Sequence, residues 1–451
     1  MTYSSLIQFP GLGGYAPGAL AELVADTPSS AAILSDLDDI AKSYDLKPIS
    51  GPLTSADGPT LEDFASPPTS VHLASFASSY LLYAALVAKG VDGDILLGQS
   101  TGELTALVAA GCLSVTDAAK VLCDREVALS QSAVSGGLTA LSVGTRRAGH
   151  FCGAAGGHSL MVSLSNSPQQ SVVSGTEGDL LGVEAIAQAL GVQATRLPVH
   201  FAHHNPLLAT AAQYVAQAAA SYDFADPVKP TYSPILGHLV HSAADARRIV
   251  ERHLTGPVDY LSALRTLYDE FEVREIIEVG ARSVLTELAR ETLPASVTLI
   301  GPPPAARGSR QILDALVGSA DSAPTAPSAL RPPEKVFTAT VTTQRVPVRP
   351  ALAVQTIIAP TSTLPEAGAL VAQLRRTFAD AVGYPEDVFT DDAHLEADLG
   401  IASVKKTELL VRLLDEYSLP TPPASVRLRD YNTLPKLAGL MQTLADGGAL
   451  R

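Results

Sequence analysis

Ser100 stands in Gly98-Gln99-Ser100-Thr101-Gly102, a G-x-S-x-G pentapeptide behind the apolar run Ile95–Leu97 and ahead of a helix-forming stretch. Glycine on both flanks suits a tight strand-to-helix turn, where a neighbouring Cβ would clash. Such a turn exposes the serine hydroxyl and sets the Thr101 N–H at a helix N-terminus, where it can stabilise an oxyanion. A nucleophile is one reading of the pentapeptide and a structural turn is the other. A serine nucleophile needs a base, and His200, His203 and His204 cluster in RLPVHFAHHNPLL. Spacing alone does not choose among them. A second serine, Ser403, stands at the N-cap position of the amphipathic stretch SVKKTELLVRLLDEY, exposed and near the positive end of a helix dipole. Six acidic residues and no Lys or Arg lie between Glu386 and Asp398, just before it.

The elements that must position these residues are legible as patterns. SLIQFPGLGG reads as a strand entering a Gly-rich turn, DILLGQS as a second strand, GELTALVAAGCL as the helix after it, and REIIEVGARSVLTELAR as another strand–turn–helix. Alternation of this kind predicts an α/β fold. Between Gly136 and Val199 the pattern changes to short strands and one helix, a small α+β subdomain with a cleft between it and the core. Residues 319–363 are rich in Pro, Ala, Ser and Thr and read as a partly extended, mobile tether. Residues 364–447 read as four helices.

Composition narrows the class. The chain has 451 residues, 46% of them apolar, which predicts two or three domains. Aromatics are only 5% and the formal charge is −15, so nucleic acid and anionic membranes are poor partners. Three cysteines without a CxxC pair fit a reducing cytoplasm and no metal site. The N-terminal MTYSSLIQFPG lacks signal-peptide features, and the apolar run Tyr80–Ala88 is too short to span a bilayer.

In this setting FPGLGG, GQSTGE, LCDREVALSQSA, SNSPQQSVVSG, FAHHNPLL, GPVDY and EVGARSVLTEL, in that order, resemble the motifs of malonyl-CoA:acyl-carrier-protein transacylases and polyketide-synthase acyltransferase domains. The resemblance implies an α/β-hydrolase-like acyltransferase core over residues 1–318, with an inserted ferredoxin-like subdomain at about 130–199. It aligns His204 with the catalytic histidine and assigns the oxyanion hole to the backbone N–H groups of Leu12 and Thr101. It implies a backbone carbonyl near His253 orienting that histidine, and Gln99, Phe201 and Asn166 at the substrate. It also implies that Arg125, 25 residues after Ser100, grips the carboxylate of a malonyl-type group through two parallel hydrogen bonds; pairing with Asp124 or Glu126 is the competing role. Gln99, Leu12 and Asp259 depart from the usual His, Gln and Arg, and FAHH matches neither familiar selectivity tetrapeptide.

The C-terminal part resembles a four-helix acyl carrier protein, with Ser403 as the attachment point of 4′-phosphopantetheine and Ala402 replacing the usual Asp. The expected activity is acyl transfer from an acyl-CoA through Ser100 to the phosphopantetheine thiol, after modification by a phosphopantetheinyl transferase. No ketosynthase motif is visible, so the acyl unit is expected to go to a separate ketosynthase or polyketide synthase. A serine hydrolase or editing thioesterase, a loader of non-carboxylated starter units, and a docking protein with a degenerate carrier are the alternatives.

Overall fold

Runs of leucine and β-branched residues set the strands, and the computed structural model describes them within residues 2–64, 69–132, 135–303, 306, 308–320, 365, 367–382, 386, 389–391, 393, 395, 410, 413–414, 417, 419 and 431–445. In chain order the strands found among these residues are β1 Ser5–Phe9, β2 Ile95–Gly98, β3 Gly137–Leu141, β4 Met161–Ser167, β5 Gln170–Gly175, β6 Ala194–Arg196, β7 Thr231–Ser233, β8 His238–Leu239, β9 Val258–Asp259, β10 Glu275–Glu278 and β11 Thr298–Ile300. The chain divides into two compact units, Met1–Ser322 and Ala323–Arg451.

The main sheet of the first unit runs β11-β10-β1-β2-β7-β8, parallel except for β8 at the edge. Leu6, Ile7 and Phe9 on β1 and Ile95, Leu96 and Leu97 on β2 are all buried, as expected of central parallel strands covered on both faces. One covering helix is Val71–Ala88, 18 residues long and apolar enough to cross a membrane, yet 72% buried within the protein. The sequence reading sees only its second half, Tyr80–Ala88, as an apolar run.

The second sheet runs β6-β3-β5-β4-β9. Between β3 and β6 the order is strand, helix, two strands, helix, strand, with helices Thr145–Ala155 and Glu177–Ala189. The sequence reading places one helix here, whereas the structure has two. Thr145–Ala155 buries only Ala148 and Phe151, too narrow a stripe to register as a helical period. β9 pairs in parallel with β4, Leu164 opposite Val258, so the chain leaving Gly256-Pro257 stitches the core to the second sheet. Asp259, the departure from the usual Arg, caps the next helix by accepting the Ser262 N–H at 3.1 Å.

In the second unit, helices Ala367–Val382 and Leu434–Ala445 share a core that includes Leu370, Leu374, Phe378, Leu437 and Met441. Ser403 and Ala402 lie outside the described residues, as do most of the two further helices expected there.

Candidate active site

β2 delivers Ser100 to the end of the central sheet, and the chain turns there at once into helix Thr101–Ala109. The turn forces Ser100 to φ 54° and ψ −122°, a conformation that L residues rarely adopt. The flanking glycines are there for contact. A Cβ on Gly98 would sit 2.2 Å from the Gly102 carbonyl oxygen, and one on Gly102 would sit 2.0 Å from that of Phe9. The Gly11–Leu12 turn after β1 abuts the same point, since a Cβ on Gly11 would lie 3.4 Å from Ser100 Cβ.

Among the three clustered histidines, His204 meets the serine. Ser100 Oγ and His204 Nε2 are 2.8 Å apart, and His204 Nδ1 lies 3.0 Å from the carbonyl oxygen of Gly256. A carbonyl only accepts, so the proton is on Nδ1 and Nε2 is free to take the serine proton. The orienting carbonyl is therefore that of Gly256, a correction to the expected position near His253. The reason is geometric: the chain entering β9 brings the Gly256 carbonyl to the imidazole, while His253 turns its side chain to Arg125 and the Ser100 carbonyl. Burial, aided by the Arg125 charge, pushes the His204 imidazole down to about 4 against the pull of the Gly256 carbonyl, so at neutral pH it is a free base. The N–H groups of Leu12 and Thr101 donate to no protein acceptor among the described residues.

Arg125 projects inward from helix Val115–Ser130, which starts at an N-cap where Ser114 accepts the Asp117 N–H. It is only 2% exposed. Its Nη1 lies 2.9 Å from His253 Nδ1 and its Nη2 lies 3.4 Å from His72 Nδ1. Burial lowers its pKa to about 10, so it stays charged at neutral pH. Burial also holds His72, His203 and His253 well below the ordinary histidine value, with the Arg125 charge acting in the same direction. The neighbouring Glu126 is pushed up to about 7 by burial, against the attraction of Arg125. No carboxylate is hydrogen-bonded to Arg125 among the described residues, and its Nε has no partner.

Ser100 opens into a cleft of about 400 Å³ between the two sheets. Leu12, Leu138, Leu164, Val172, Leu197 and Val284 form its apolar walls, and His72, His203, Gln99 and Asn166 supply polar groups. Gln99 Nε2 donates to Asn166 Oδ1 at 2.7 Å, and Asn166 Nδ2 donates to Gln170 Oε1 at 2.8 Å. Of the expected substrate residues, Gln99 and Asn166 thus line the cleft, tied to each other in an amide ladder that runs from the turn after β2 to β4 and β5. Phe201 is half-buried, packs edge-on to His203 at 6.4 Å, and is not among the lining residues; nor is Arg125, which sits behind His72 and His253. A larger groove near Tyr83, Asp92 and Lys229 contains neither Ser100 nor His204.

Sequence reasoning misses His72, the Gly256 carbonyl and the His253 side chain. His72 left one signal, a titratable residue in the first turn of an otherwise apolar helix. The Gly256 carbonyl lies three residues past the position that the resemblance gives, and the His253 side chain left no signal, because its role depends on which distant groups face it.

Residues 8–316 match the acyl transferase domain family, and residues 372–441 match the phosphopantetheine attachment site family, which indicates covalent 4′-phosphopantetheine as cofactor. The chain is 28% identical over 305 residues to the spectinabilin polyketide synthase system protein NorA' of Streptomyces orinoci, covering 67% of this chain and 8% of that protein. It is 27% identical over 297 residues to the non-reducing polyketide synthase fsr1 of Gibberella fujikuroi, covering 65% and 13%. The chain thus spans a small part of these relatives. Among solved structures, the acyl-carrier-protein S-malonyltransferase of Burkholderia pseudomallei superposes with a TM-score of 0.59 at 25% identity, covering 66% of this chain and 95% of that one. The acyltransferase domain from the second module of the salinomycin polyketide synthase superposes with a TM-score of 0.60 at 23% identity, covering 70% and 73%.

Proposed function

The chain belongs to the acyl transferase domain family, and on that premise we propose that it moves a malonyl-type carboxyacyl group from coenzyme A through Ser100 to a phosphopantetheine thiol on Ser403. The observation that carries the class of acyl group is Arg125, a buried cation whose hydrogen-bond partners are the histidines His253 and His72. Its buried neighbour Glu126 is pushed up to about 7 and so is only partly ionised at neutral pH, and a substrate carboxylate would supply the fuller counter-charge in bidentate form. Similarity to an S-malonyltransferase supports the same class.

Ser100 passes its proton to His204 Nε2 as Oγ attacks the thioester carbonyl, while the Gly256 carbonyl steadies the imidazolium through Nδ1–H. The oxyanion accepts the N–H groups of Leu12 and Thr101. His204 then returns the proton to the CoA sulfur as the C–S bond breaks, leaving an ester on Ser100. The apolar-walled cleft ending at Ser100 fits a thioester on a narrow pantetheine arm. When bound, phosphopantetheine supplies the thiol that accepts the acyl group. His204 takes the proton of the incoming thiol and gives it to Ser100 Oγ as the ester breaks.

We read residues 1–318 as the acyltransferase domain, with a ferredoxin-like subdomain whose strand order β6-β3-β5-β4 supports that description. Residues 319–363 are the linker and 364–447 the carrier, loaded with its cofactor by a phosphopantetheinyl transferase and passing its acyl unit to a separate synthase. Free Cys112, Cys123 and Cys152 support a cytoplasmic setting.

Intact-mass analysis with malonyl-CoA and acetyl-CoA tests the reading. Wild type gains the acyl mass, Ser100→Ala forms no acyl-enzyme, and Ser403→Ala loses the cofactor mass. Arg125→Met lowers malonyl loading roughly 100-fold beyond any fall in acetyl loading, the value of about 3 kcal/mol for a charge-assisted pair. Equal loss of both refutes the carboxylate anchor, and free acid in place of acyl-protein favours a hydrolase.

A further inference from the structure

The peptide unit joining Ser100 to Thr101 is gripped by its carbonyl oxygen, while its N–H donates to no protein acceptor among the described residues. Glu103 N–H donates to Ser100 O at 2.8 Å, and His253 Nε2 lies 2.9 Å from the same oxygen. On its other edge, His253 Nδ1 lies 2.9 Å from Arg125 Nη1. A guanidinium only donates and a carbonyl only accepts, so one tautomer satisfies both ends: hydrogen on Nε2 and a lone pair on Nδ1. The bonds then run head to tail, from Arg125 Nη1–H to His253 Nδ1, from His253 Nε2–H to Ser100 O, and across the peptide to Thr101 N–H. Each donor points away from the buried cation and toward the oxyanion position.

Hydrogen bonds in such a chain polarise one another, and a bond to an amide carbonyl strengthens that amide's N–H as a donor. Arg125 and His253 are each 2% exposed, so water screens little of this effect. The same bond from His253 resists rotation of a peptide held at the strained φ of 54°. His253 cannot be the base, because its Nε2 is committed to the serine carbonyl.

We propose that His253, backed by Arg125, is a positioning residue that holds the Ser100–Thr101 peptide in place and polarises its N–H toward the oxyanion. The inference rests on the acyltransferase reading, but it concerns every acyl group, with or without a carboxylate.

The test is the first-turnover rate of Ser100 acylation, followed by intact mass against acyl-CoA concentration, with both malonyl-CoA and acetyl-CoA. His253→Leu removes the donor; His253→Gln keeps an acceptor for Arg125 and a donor for Ser100. The Leu variant should lower the maximal rate about tenfold for both acyl groups, with half-saturation within about twofold, a fraction of what deleting an oxyanion donor outright costs. The Gln variant should recover to within about threefold of wild type. An unchanged rate in the Leu variant overturns the inference, as does a Gln variant as slow as Leu or a loss confined to half-saturation. Where the Leu variant does not melt cooperatively, His253→Glu decides. It matches Gln in shape and pairs with Arg125, yet offers Ser100 O only an acceptor, so it should be at least about tenfold slower than Gln; equal rates overturn the inference. Wild type that forms no acyl-Ser100 overturns the acyltransferase reading, and this inference with it. Acylating wild type with an indifferent residue 253 overturns this inference alone.

Discussion

His203→Phe should make the protein more resistant to acid. His203 is 6% exposed, its ring sits edge-on to His72 at 5.2 Å, and burial with the Arg125 charge holds its pKa well below the ordinary 6.5. In the unfolded chain the same imidazole takes up a proton near pH 6.5. The folded pKa is depressed, so the unfolded state binds more protons and stability drains away as pH falls below 6.5. For a histidine still neutral in the folded state, the loss is about 1.4 kcal/mol per pH unit, or about 2 kcal/mol at pH 5. His72, His204 and His253 act in the same direction, while Glu103 and Glu126, raised by burial to about 8 and about 7, act in the opposite one. The difference between wild type and a single variant isolates one proton from that balance. Phenylalanine fills the ring's volume without titrating, so urea unfolding at pH 7.5, followed by far-UV circular dichroism, should give values within about 1 kcal/mol of each other. At pH 5 the variant should be the more stable by about 2 kcal/mol. An advantage no larger at pH 5 than at pH 7.5 would show that His203 protonates freely in the folded protein, and the buried neutral cluster would be wrong.

Two further outcomes follow from the site. With His204 displaced to about 4, the first-turnover acylation rate should stay level from pH 7.5 to about 5.5 in pH-jump measurements that outpace unfolding; an acid limb centred near 6.5 refutes that displacement. Gly102→Ala drives a methyl to 2.0 Å from the Phe9 carbonyl oxygen, so it should destabilise the first unit by roughly 4 kcal/mol or more and abolish acylation; a thermal melt at the wild-type temperature refutes the required contact.

The sequence by itself determined whatever depends on neighbours along the chain. The G-x-S-x-G elbow, the β1 turn at Gly11–Leu12 and the strand–helix alternation are local patterns, and the structure carries each one. Helices Ala367–Val382 and Leu434–Ala445 of the second unit were equally legible, because an apolar stripe is written in residue spacing. Helix Thr145–Ala155 was not legible, since it buries too little to leave a stripe. Resemblance named His204 and Arg125 and placed a backbone carbonyl for His204 near His253, but it did not give the carbonyl itself or the histidines beside Arg125. Only the tertiary structure decided that Gly256 orients His204 and that Arg125 rests on His72 and His253, because those contacts join residues 52, 53 and 128 positions apart. It also set where the imidazole titrates: in water it takes up a proton near pH 6.5, and buried beside a guanidinium it stays a free base down to about 4. Spacing records which side chains a turn or helix brings together. The counter-charges, tautomers and carbonyls that tune them come from chain segments that meet only when the sheet closes.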